Sequence, residues 1–294
     1  MTPWTRAVDA DAGRAMIAAA ASRVRARRLA VQHWAEPEPE RGEIWHLVDD
    51  PVTVWAMPDA TGALLLDIDV PVRDGVDAAR LRRWLAELAA VAGWTGSWRV
   101  GVLDHDPLMA SLTADPDARH VATKMQLDVR TVAEPSGVHL RAMDDVDYAA
   151  YRERADEEYA QERVAAGADP SIEAARATAA AQMAEMLPDG PRTRGQRMWT
   201  VRDGAGERVG ILWVALRDGF GFINDISLDE SRRGQGIGTQ VLRAAAAEMR
   251  AVGLGVLALN VFGSNDAARR LYAREGFRET ETLWSVPIPA ASVA

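Results

Sequence analysis

The sequence predicts an α/β protein (α+β class) built on a mixed, twisted sheet flanked by helices, with two similar domains in tandem. Its 294 residues suit two domains of ordinary size. Short apolar runs of strand type alternate with patterns of helical period along the chain. The order also recurs, because "LLLDIDV" followed by "AARLRRWLAELAAVAGW" parallels "FINDISL" followed by "TQVLRAAAAEMRAVGL". This parallel indicates a divergent internal repeat.

The elements of the first half are predicted from apolar spacing and turn residues. We expect two strands joined by a turn in "PVTVWAMPDATGALLLDIDV", a helix ended by Gly93 in "AARLRRWLAELAAVAG", and a strand in "SWRVGVLD". Turn-forming residues over 131–137 then separate two apolar, strand-like runs. The sequence therefore predicts a linker at this point and two domains, residues 1–133 and 134–294.

The second half begins with two helical patterns, the first capped by Asp144 or Asp145 and the second by Ser171. A hairpin follows, with "RMWTVRD" and "ERVGILWVAL" as strands around the turn "GAG". A third strand, "FGFINDISL", runs into a glycine-rich loop and the helix "TQVLRAAAAEMRAVG". The strand "VLALNVF", the helix "NDAARRLYAREG" and the strand "FRETETLWSVPI" complete the predicted order.

Composition excludes several classes of function. Without cysteine there is no disulfide, thiolate metal site or cysteine nucleophile, and no metal is predicted. A formal charge of -9 disfavours general binding to nucleic acid. No apolar run reaches the roughly 18 residues of a membrane span, and no secretory signal opens the chain, so we expect a cytoplasmic protein without membrane contact. Lys124 is the only lysine, and the absence of a glycine-lysine pair excludes a nucleotide-binding P-loop.

The stretch "SRRGQGIGTQ" (231–240) joins a predicted strand to a predicted helix. Glycines in such a loop let the backbone approach an anion at the positive end of the helix. The spacing does not fit a dinucleotide fingerprint, because Thr239 stands where its last glycine would be. It fits R-x-x-G-x-G, with Arg233, Gly236 and Gly238. By itself this short pattern indicates either a phosphate loop or a tight strand-to-helix turn.

The sequence on both sides of this stretch favours the phosphate loop over the tight turn. The stretch "INDISLDESRRGQGIGTQVLRAA" followed by "LALNVFGSNDAARRLYAREGF" resembles the GNAT superfamily of acetyl-CoA-dependent N-acetyltransferases. The resemblance covers most of residues 138–288 and implies the GNAT fold, with acetyl-CoA as acyl donor. Residues 1–133 resemble the degenerate copy of tandem members with a mycothiol synthase-like organisation. There "PVRDGVD" carries one glycine where the second half has three, so only the second half is expected to bind acetyl-CoA.

Carried over residue by residue, the resemblance implies a cofactor site. The loop amides would receive the pyrophosphate of coenzyme A, and the preceding strand would splay from its neighbour to pair with the pantetheine arm. Asn265, at the start of the last helix, would either cap that helix or contact the cofactor. The implied cofactor-binding residues are Ile226, Ser227, Leu228, Arg233, Gly234, Gln235, Gly236, Ile237, Gly238, Thr239, Asn265 and Tyr272.

The predicted catalytic residues are Tyr272 and Asp225. Tyr272 matches the family tyrosine near the thioester sulfur and is expected to protonate the departing thiolate, although it could instead be packed on the core. No histidine lies beyond His139, so the base that deprotonates the amine is a carboxylate, a tyrosine or a held water. Asp225 is our first choice, although its side chain could point into solvent or against a helix.

The helix that borders the acceptor pocket in this family carries Glu158, Tyr159 and Glu162. These residues are expected either to bind the acceptor or to form a solvated helix face. The predicted function is direct transfer of acetyl from acetyl-CoA to a primary amine of a small molecule or peptide. The alternative is a non-catalytic acyl-CoA-binding sensor or scaffold. A ribosomal or DNA-associated acceptor is less favoured because the chain is acidic.

Overall fold

The computed structural model describes residues 4–7, 10–32, 34–35, 37–59, 61–71, 76–165 and 171–289. Their contacts group into two compact units, each discontinuous in sequence. The predicted boundary at residue 133 rests on the turn-forming residues of 131–137, and it stays a prediction beside this grouping. Unit 1 takes its described residues from Met1–Met125, Val261–Asp266 and Glu279–Ala294, and unit 2 from Gln126–Asn260 and Ala267–Arg278.

Unit 1 is a mainly antiparallel sheet with helices against it. The chain's last strand belongs here, because it pairs antiparallel with β5 from Glu281↔Leu103 to Pro287↔Ser97. Within the unit β4 and β5 are parallel, and β1 to β4 are antiparallel neighbours. The elements are β1 (Trp4–Arg6), α1 (Ala10–Gln32), β2 (Glu43–Leu47), β3 (Thr53–Asp59), β4 (Gly62–Asp69), α2 (Ala78–Ala92), β5 (Ser97–Leu103), α3 (Pro107–Ala110) and β6 (Arg119–Asp128).

Local signals in unit 1 decide where its predicted elements begin and end. The predicted turn between β3 and β4 is present, and Gly62 adopts a φ of 141° there. A Cβ on Gly62 would lie 2.0 Å from the Ser97 carbonyl oxygen, so only glycine fits. Asp77 caps α2 by accepting from the Arg80 N–H, and Gly93 ends it in the left-handed conformation. The predicted helix and its stop at Gly93 are confirmed.

Helix α1 is an element that the sequence pattern does not predict. Its buried positions include Ala20 and Val24, which are 1% and 4% exposed. Because such small residues give little hydrophobic contrast between faces, the amphipathic period is weak. The helix is held by tertiary packing around Trp55, which is fully buried against it.

Unit 2 carries the predicted order of helices and strands. Asp144 caps its first helix by accepting from the Asp147 N–H at 2.9 Å, and Ser171 caps the second by accepting from the Ala174 N–H. The elements are β7 (Val138–Ala142), α4 (Asp145–Ala165), α5 (Ile172–Met186), β8 (Gln196–Asp203), β9 (Arg208–Arg217), β10 (Phe220–Leu228), α6 (Ile237–Ala251), β11 (Val256–Phe262), α7 (Asp266–Arg274) and β12 (Arg278–Pro287). The division between the units falls within β6, β11 and β12, so each of these strands has residues in both.

Unit 2 contains one irregular strand pairing that matters for the site. In β10 the register with β9 shifts, so that Ile223 pairs with Val214 but Asp225 pairs with Trp213. Asn224 is therefore an extra residue, a β-bulge. Side chains of paired residues lie on the same face of a sheet, and successive side chains along a strand point to alternate faces. The bulge therefore places Asp225 on the face of Trp213, and Ile223 lies on the opposite face.

Unit 1 contains a β-bulge at the corresponding position. Leu65 pairs with Ala56 and Asp67 pairs with Trp55, so Leu66 is the bulged residue of β4. The parallel pairing of β4 with β5 ends at Leu65↔Val100, immediately before the bulge. In unit 2 the pairing of β10 with β11 ends likewise at Ile223↔Leu259. The two units share this arrangement, which supports the internal repeat.

No helix in the described part of the chain is long and apolar enough to cross a membrane.

Candidate active site

The glycine-rich loop leads into α6 without a side-chain cap. Helix α6 starts at Ile237, after Gly236 with a φ of 78°, and Gly234 has a φ of 74°. Apart from the two adjoining residues of the chain, no described residue has an atom within 4 Å of where a Cβ would stand on either glycine. The first N–H groups of a helix lack partners inside it, and they lie at its positive end. A backbone-lined, open surface of this kind fits an anionic diphosphate.

Gly238, in the same loop, is needed for helix packing. A Cβ there would lie 3.0 Å from Leu271 Cδ2, so glycine allows α6 and α7 to approach closely. The Thr239 hydroxyl donates to Glu275 at 2.9 Å, and Arg243 Nε donates to the same carboxylate at 3.1 Å. The side chain of Thr239 therefore braces the two helices, and its backbone is the part available to a ligand.

The other predicted side chains of the loop are held by nearby backbone. Arg233 Nε donates to the Leu228 carbonyl at 3.3 Å, and Gln235 Nε2 donates to the Ser231 carbonyl at 2.9 Å. Both residues are exposed. Asn265 directly precedes α7 and is grouped with unit 1. The side chains of this loop thus stabilise its backbone conformation, and the glycines leave its backbone amides exposed.

Beyond the bulge, one edge of β10 has no strand partner among the residues that the structure describes. Ile226, Ser227 and Leu228 keep their register with β9, but the pairing with β11 has already ended at Ile223. The strands separate at this point. Backbone groups on the free edge can therefore hydrogen-bond an extended ligand as a further strand would.

Asp225 lies at the start of this separation and is half-buried. The Tyr151 hydroxyl and the Ile226 N–H lie beside its carboxylate, and both favour its charged form. Burial raises the pKa of the Asp225 carboxyl, although the Tyr151 hydrogen bond and the Arg154 charge oppose the rise. The aspartate thus faces a helix and not open solvent, and its carboxylate is a better proton acceptor than a free one.

Tyr272 lies close enough to Asp225 to be affected by its charge. The side chain is 8% exposed, and its ring packs 5.6 Å from that of Phe277 between centroids. Burial and the Asp225 charge raise the pKa of Tyr272 to about 12. A phenol in this environment keeps its proton at neutral pH and can donate it. The structure therefore brings the two predicted catalytic residues together.

Helix α4 supplies one face of the site. Arg154 Nη2 donates to the Ser227 hydroxyl at 3.0 Å, and its Nε lies 3.7 Å from the Glu158 carboxylate. Glu158 also raises the pKa of Asp225 through its charge. Tyr159 instead donates to Gln182 of α5 at 3.0 Å. The backbone of Glu162 lies in α4, and its side chain lies outside the described part of the structure.

Tyr151 and Arg154 are site residues that the sequence analysis missed. Together with Glu158 they follow an i, i+3, i+7 spacing, which places them on one face of α4. That spacing was the available signal, but it can be read only once the strand against that face is known.

Comparison with known proteins agrees with this geometry. Residues 156–277 match the model of the acetyltransferase (GNAT) family. The uncharacterised N-acetyltransferase YycN of Bacillus subtilis is 31% identical over 152 residues, which are 50% of this chain and 97% of the relative. A second Bacillus subtilis protein, the uncharacterised N-acetyltransferase YdgE, is 28% identical over 48% of this chain and 92% of its own. The chain belongs to the acetyltransferase (GNAT) family, as an enzyme of the N-acetyltransferase type.

Solved structures extend the likeness in fold to the whole chain. A GCN5-related N-acetyltransferase from Sphaerobacter thermophilus matches with a TM-score of 0.58 at 16% identity, over 96% of this chain and 94% of that one. A tandem GNAT protein from the clavulanic acid biosynthesis pathway matches with a TM-score of 0.54 at 16% identity, over 98% and 99%. The predicted GNAT fold is confirmed, in an arrangement shared with tandem proteins.

Proposed function

We propose that unit 2 transfers the acetyl group of acetyl-CoA directly to a primary amine of a small molecule or peptide. The observation that carries this proposal is the end of the β10–β11 pairing at Ile223, beside the Asp225–Tyr272 pair. An extended ligand that pairs with the free edge of β10 would bring its reacting end to these two side chains. The glycine-rich loop follows β10 and would hold the anionic end of the same ligand.

The residues present fit acetyl-CoA as donor. The open amides at Gly234 to Thr239 suit its diphosphate, and the backbone of Ile226 to Leu228 suits the amides of its pantetheine arm. Bound in this way, acetyl-CoA supplies the activated acyl group. An N–H near Ile226 would stabilise the negative charge that develops on the thioester oxygen.

The proton transfers are assigned to this chain's own side chains. Asp225 accepts the first proton of the acceptor ammonium, because an alkyl amine with a pKa of about 10.4 is protonated at neutral pH and cannot attack. Tyr272 donates its proton to the sulfur as the thiolate leaves, and its phenolate takes back the second proton, which the nitrogen loses as the amide forms. The sequence has no cysteine to carry the acyl group, which favours direct transfer. Glu158, Tyr159 and Glu162 on α4 are the proposed acceptor contacts.

The first half is proposed to bind no acetyl-CoA. Its counterpart of the loop, "PVRDGVD", contains one glycine, and residues 72–75 of it lie outside the described part of the structure. A loop with side chains at the other positions brings fewer bare amides to an anion. The number of acetyl-CoA molecules bound to the full chain therefore tests this assignment.

The experiment combines calorimetry with a turnover assay on the full chain. Titration with acetyl-CoA is expected to give about one site per chain, since one glycine-rich loop is present. A panel of small amines and peptides, read by release of free thiol, is expected to show turnover with at least one acceptor. Two equal sites would contradict the assignment to unit 2, and an absence of binding would contradict the function. Tight binding without turnover for any acceptor would favour the acyl-CoA sensor.

A further inference from the structure

The partner of Asp225 differs from the partners of its counterpart in unit 1. Asp67 follows the same bulge and faces the same kind of residue, a tryptophan on the neighbouring strand. Arg23 donates to Asp67 through Nε at 3.2 Å and Nη2 at 2.9 Å, and Arg27 donates to its other oxygen. Both oxygens of Asp67 are thus occupied by cations. A carboxylate held in this way is fixed by charge-assisted hydrogen bonds on both of its oxygens.

In unit 2 a single phenol replaces the two guanidinium groups. Tyr151 is 2% exposed and packs edge-on against Trp213, with ring centroids 6.4 Å apart and planes at 81°. Met143, Leu187, Met198 and Ile211 complete the apolar cluster around it. Trp213 is also the cross-strand partner of Asp225, so the fixed ring lies on the same face of the sheet as the carboxylate.

We propose that Tyr151 is the positioning residue of this site: its ring, packed against Trp213, brings the hydroxyl to the Asp225 carboxylate on the same face and fixes it by one neutral hydrogen bond. The inference rests on the proposed function of Asp225 as the base. A neutral donor orients a carboxylate without adding positive charge beside it, so the aspartate is held in place and still accepts a proton. At Asp67 the guanidinium groups of Arg23 and Arg27 occupy both carboxylate oxygens, so that side chain is committed to structural ion pairs.

Other groups also act on Asp225 and set the background for a test. Arg154 and Glu158 of α4 act with opposite signs, and the Ile226 N–H donates from the strand itself. Tyr272 faces it from α7. None of these is altered by removal of the Tyr151 hydroxyl. The substitution Tyr151→Phe keeps the packed ring and removes only the hydrogen bond.

The test is the titration of Asp225 in the full chain, followed by carboxyl ¹³C NMR and assigned with Asp225→Asn. A hydrogen bond to the charged form lowers a carboxyl pKa, so its loss raises the pKa. In Tyr151→Phe the midpoint of Asp225 is therefore expected to move up, by about one pH unit. Tyr148→Phe is the matched control, because Tyr148 lies on the same helix and accepts from Arg152 at 3.2 Å. The titration midpoint of Asp225 in Tyr148→Phe is expected to equal that in the wild type.

The same variants are then assayed for thiol release across pH. The acidic limb of kcat/KM is expected to move up in Tyr151→Phe by the same amount as the NMR midpoint, with an unchanged KM for acetyl-CoA. An unmoved or lowered midpoint in Tyr151→Phe would overturn the role of Tyr151. Full activity and an unchanged acidic limb in Asp225→Asn would instead overturn the proposed base. Absence of wild-type turnover would count against the proposed function, while the NMR midpoint still decides the role of Tyr151.

Discussion

Asp67 and Asp225 occupy equivalent positions in the two units, yet Asp67 is bound by two arginines and Asp225 by one tyrosine. Each follows a bulge at the point where a parallel strand pair ends. Arg23 and Arg27 neutralise the first carboxylate, and Tyr151 orients the second. The arginine pairs suit Asp67 to a structural role, and proton transfer is the role that we propose for Asp225.

The different partners of Asp67 and Asp225 predict that neutralising each aspartate changes the free energy of unfolding in opposite directions. The raised pKa of Asp225 means that its charged form is disfavoured in the folded state, so Asp225→Asn should increase the free energy of unfolding at pH 7, by about 1 kcal/mol. Asp67→Asn removes the charge that Arg23 and Arg27 surround, so the free energy of unfolding should fall by about 2 kcal/mol. Urea unfolding of both variants beside the wild type measures the two signs. A loss of stability in Asp225→Asn would contradict this account.

The loop predicts a charge-specific effect on binding. At Gly236, Asn and Asp both tolerate the left-handed conformation and both cap a helix well, so they differ mainly in charge. Gly236→Asp should weaken acetyl-CoA binding by about tenfold or more relative to Gly236→Asn, because a carboxylate repels the diphosphate. Calorimetry gives the two dissociation constants. Gly253→Asp, at the other end of α6 with the same φ of 78°, serves as control. Equal affinities for the two Gly236 variants would place the diphosphate elsewhere.

Tyr272 predicts a feature of the pH profile. Because burial and the Asp225 charge raise its pKa to about 12, the phenol keeps its proton through the alkaline range in which enzymes are assayed. The rate should therefore show no decline from loss of this proton up to about pH 10. Tyr272→Phe should lower kcat by about 10² at every pH in that range, with little change in KM for acetyl-CoA. Wild-type kcat in Tyr272→Phe would show that another group, or water, protonates the thiolate.

A buried ion cluster in unit 1 predicts acid sensitivity. Glu281 is 7% exposed and lies 3.3 Å from Arg28 Nη2 and 3.1 Å from Lys124 Nζ. Burial alone would raise the pKa of Glu281, but the two cations outweigh it and hold the pKa below 4.5. A lowered pKa adds stability above the unfolded value, and this stability is lost as the pH falls through the folded value.

The stability of the wild type should thus fall below about pH 4.5 more steeply than that of Glu281→Gln. At pH 7 the variant should be less stable by about 3 kcal/mol, because Arg28 and Lys124 lose the buried carboxylate between them, although Arg28 keeps its pair with Glu38. Thermal unfolding across pH measures both effects. Glu279→Gln, an exposed glutamate on the same strand, should change neither. Parallel curves for wild type and Glu281→Gln would refute the role of the cluster.

Much of the fold could be predicted from the sequence because its signals are local. Gly93 ends α2 and Ser171 caps α5 through contacts within a few residues, so spacing and residue type were enough to place them. The glycine-rich loop is equally local, since its conformation depends on Gly234 and Gly236 and on the helix that follows. Helix α1 could not be predicted, because its alanine-rich buried face becomes distinct only when Trp55 packs against it.

The sequence by itself determined the order of strands and helices, the glycine-rich loop and the residue types available for proton transfer. The tertiary structure decided which way Asp225 points and what it meets. Without the bulge at Asn224 the side chain would lie on the other face of β10, and its partner Tyr151 lies far away along the chain. Strand register and helix packing are set by contacts between distant segments, and such contacts leave no fixed spacing in the sequence.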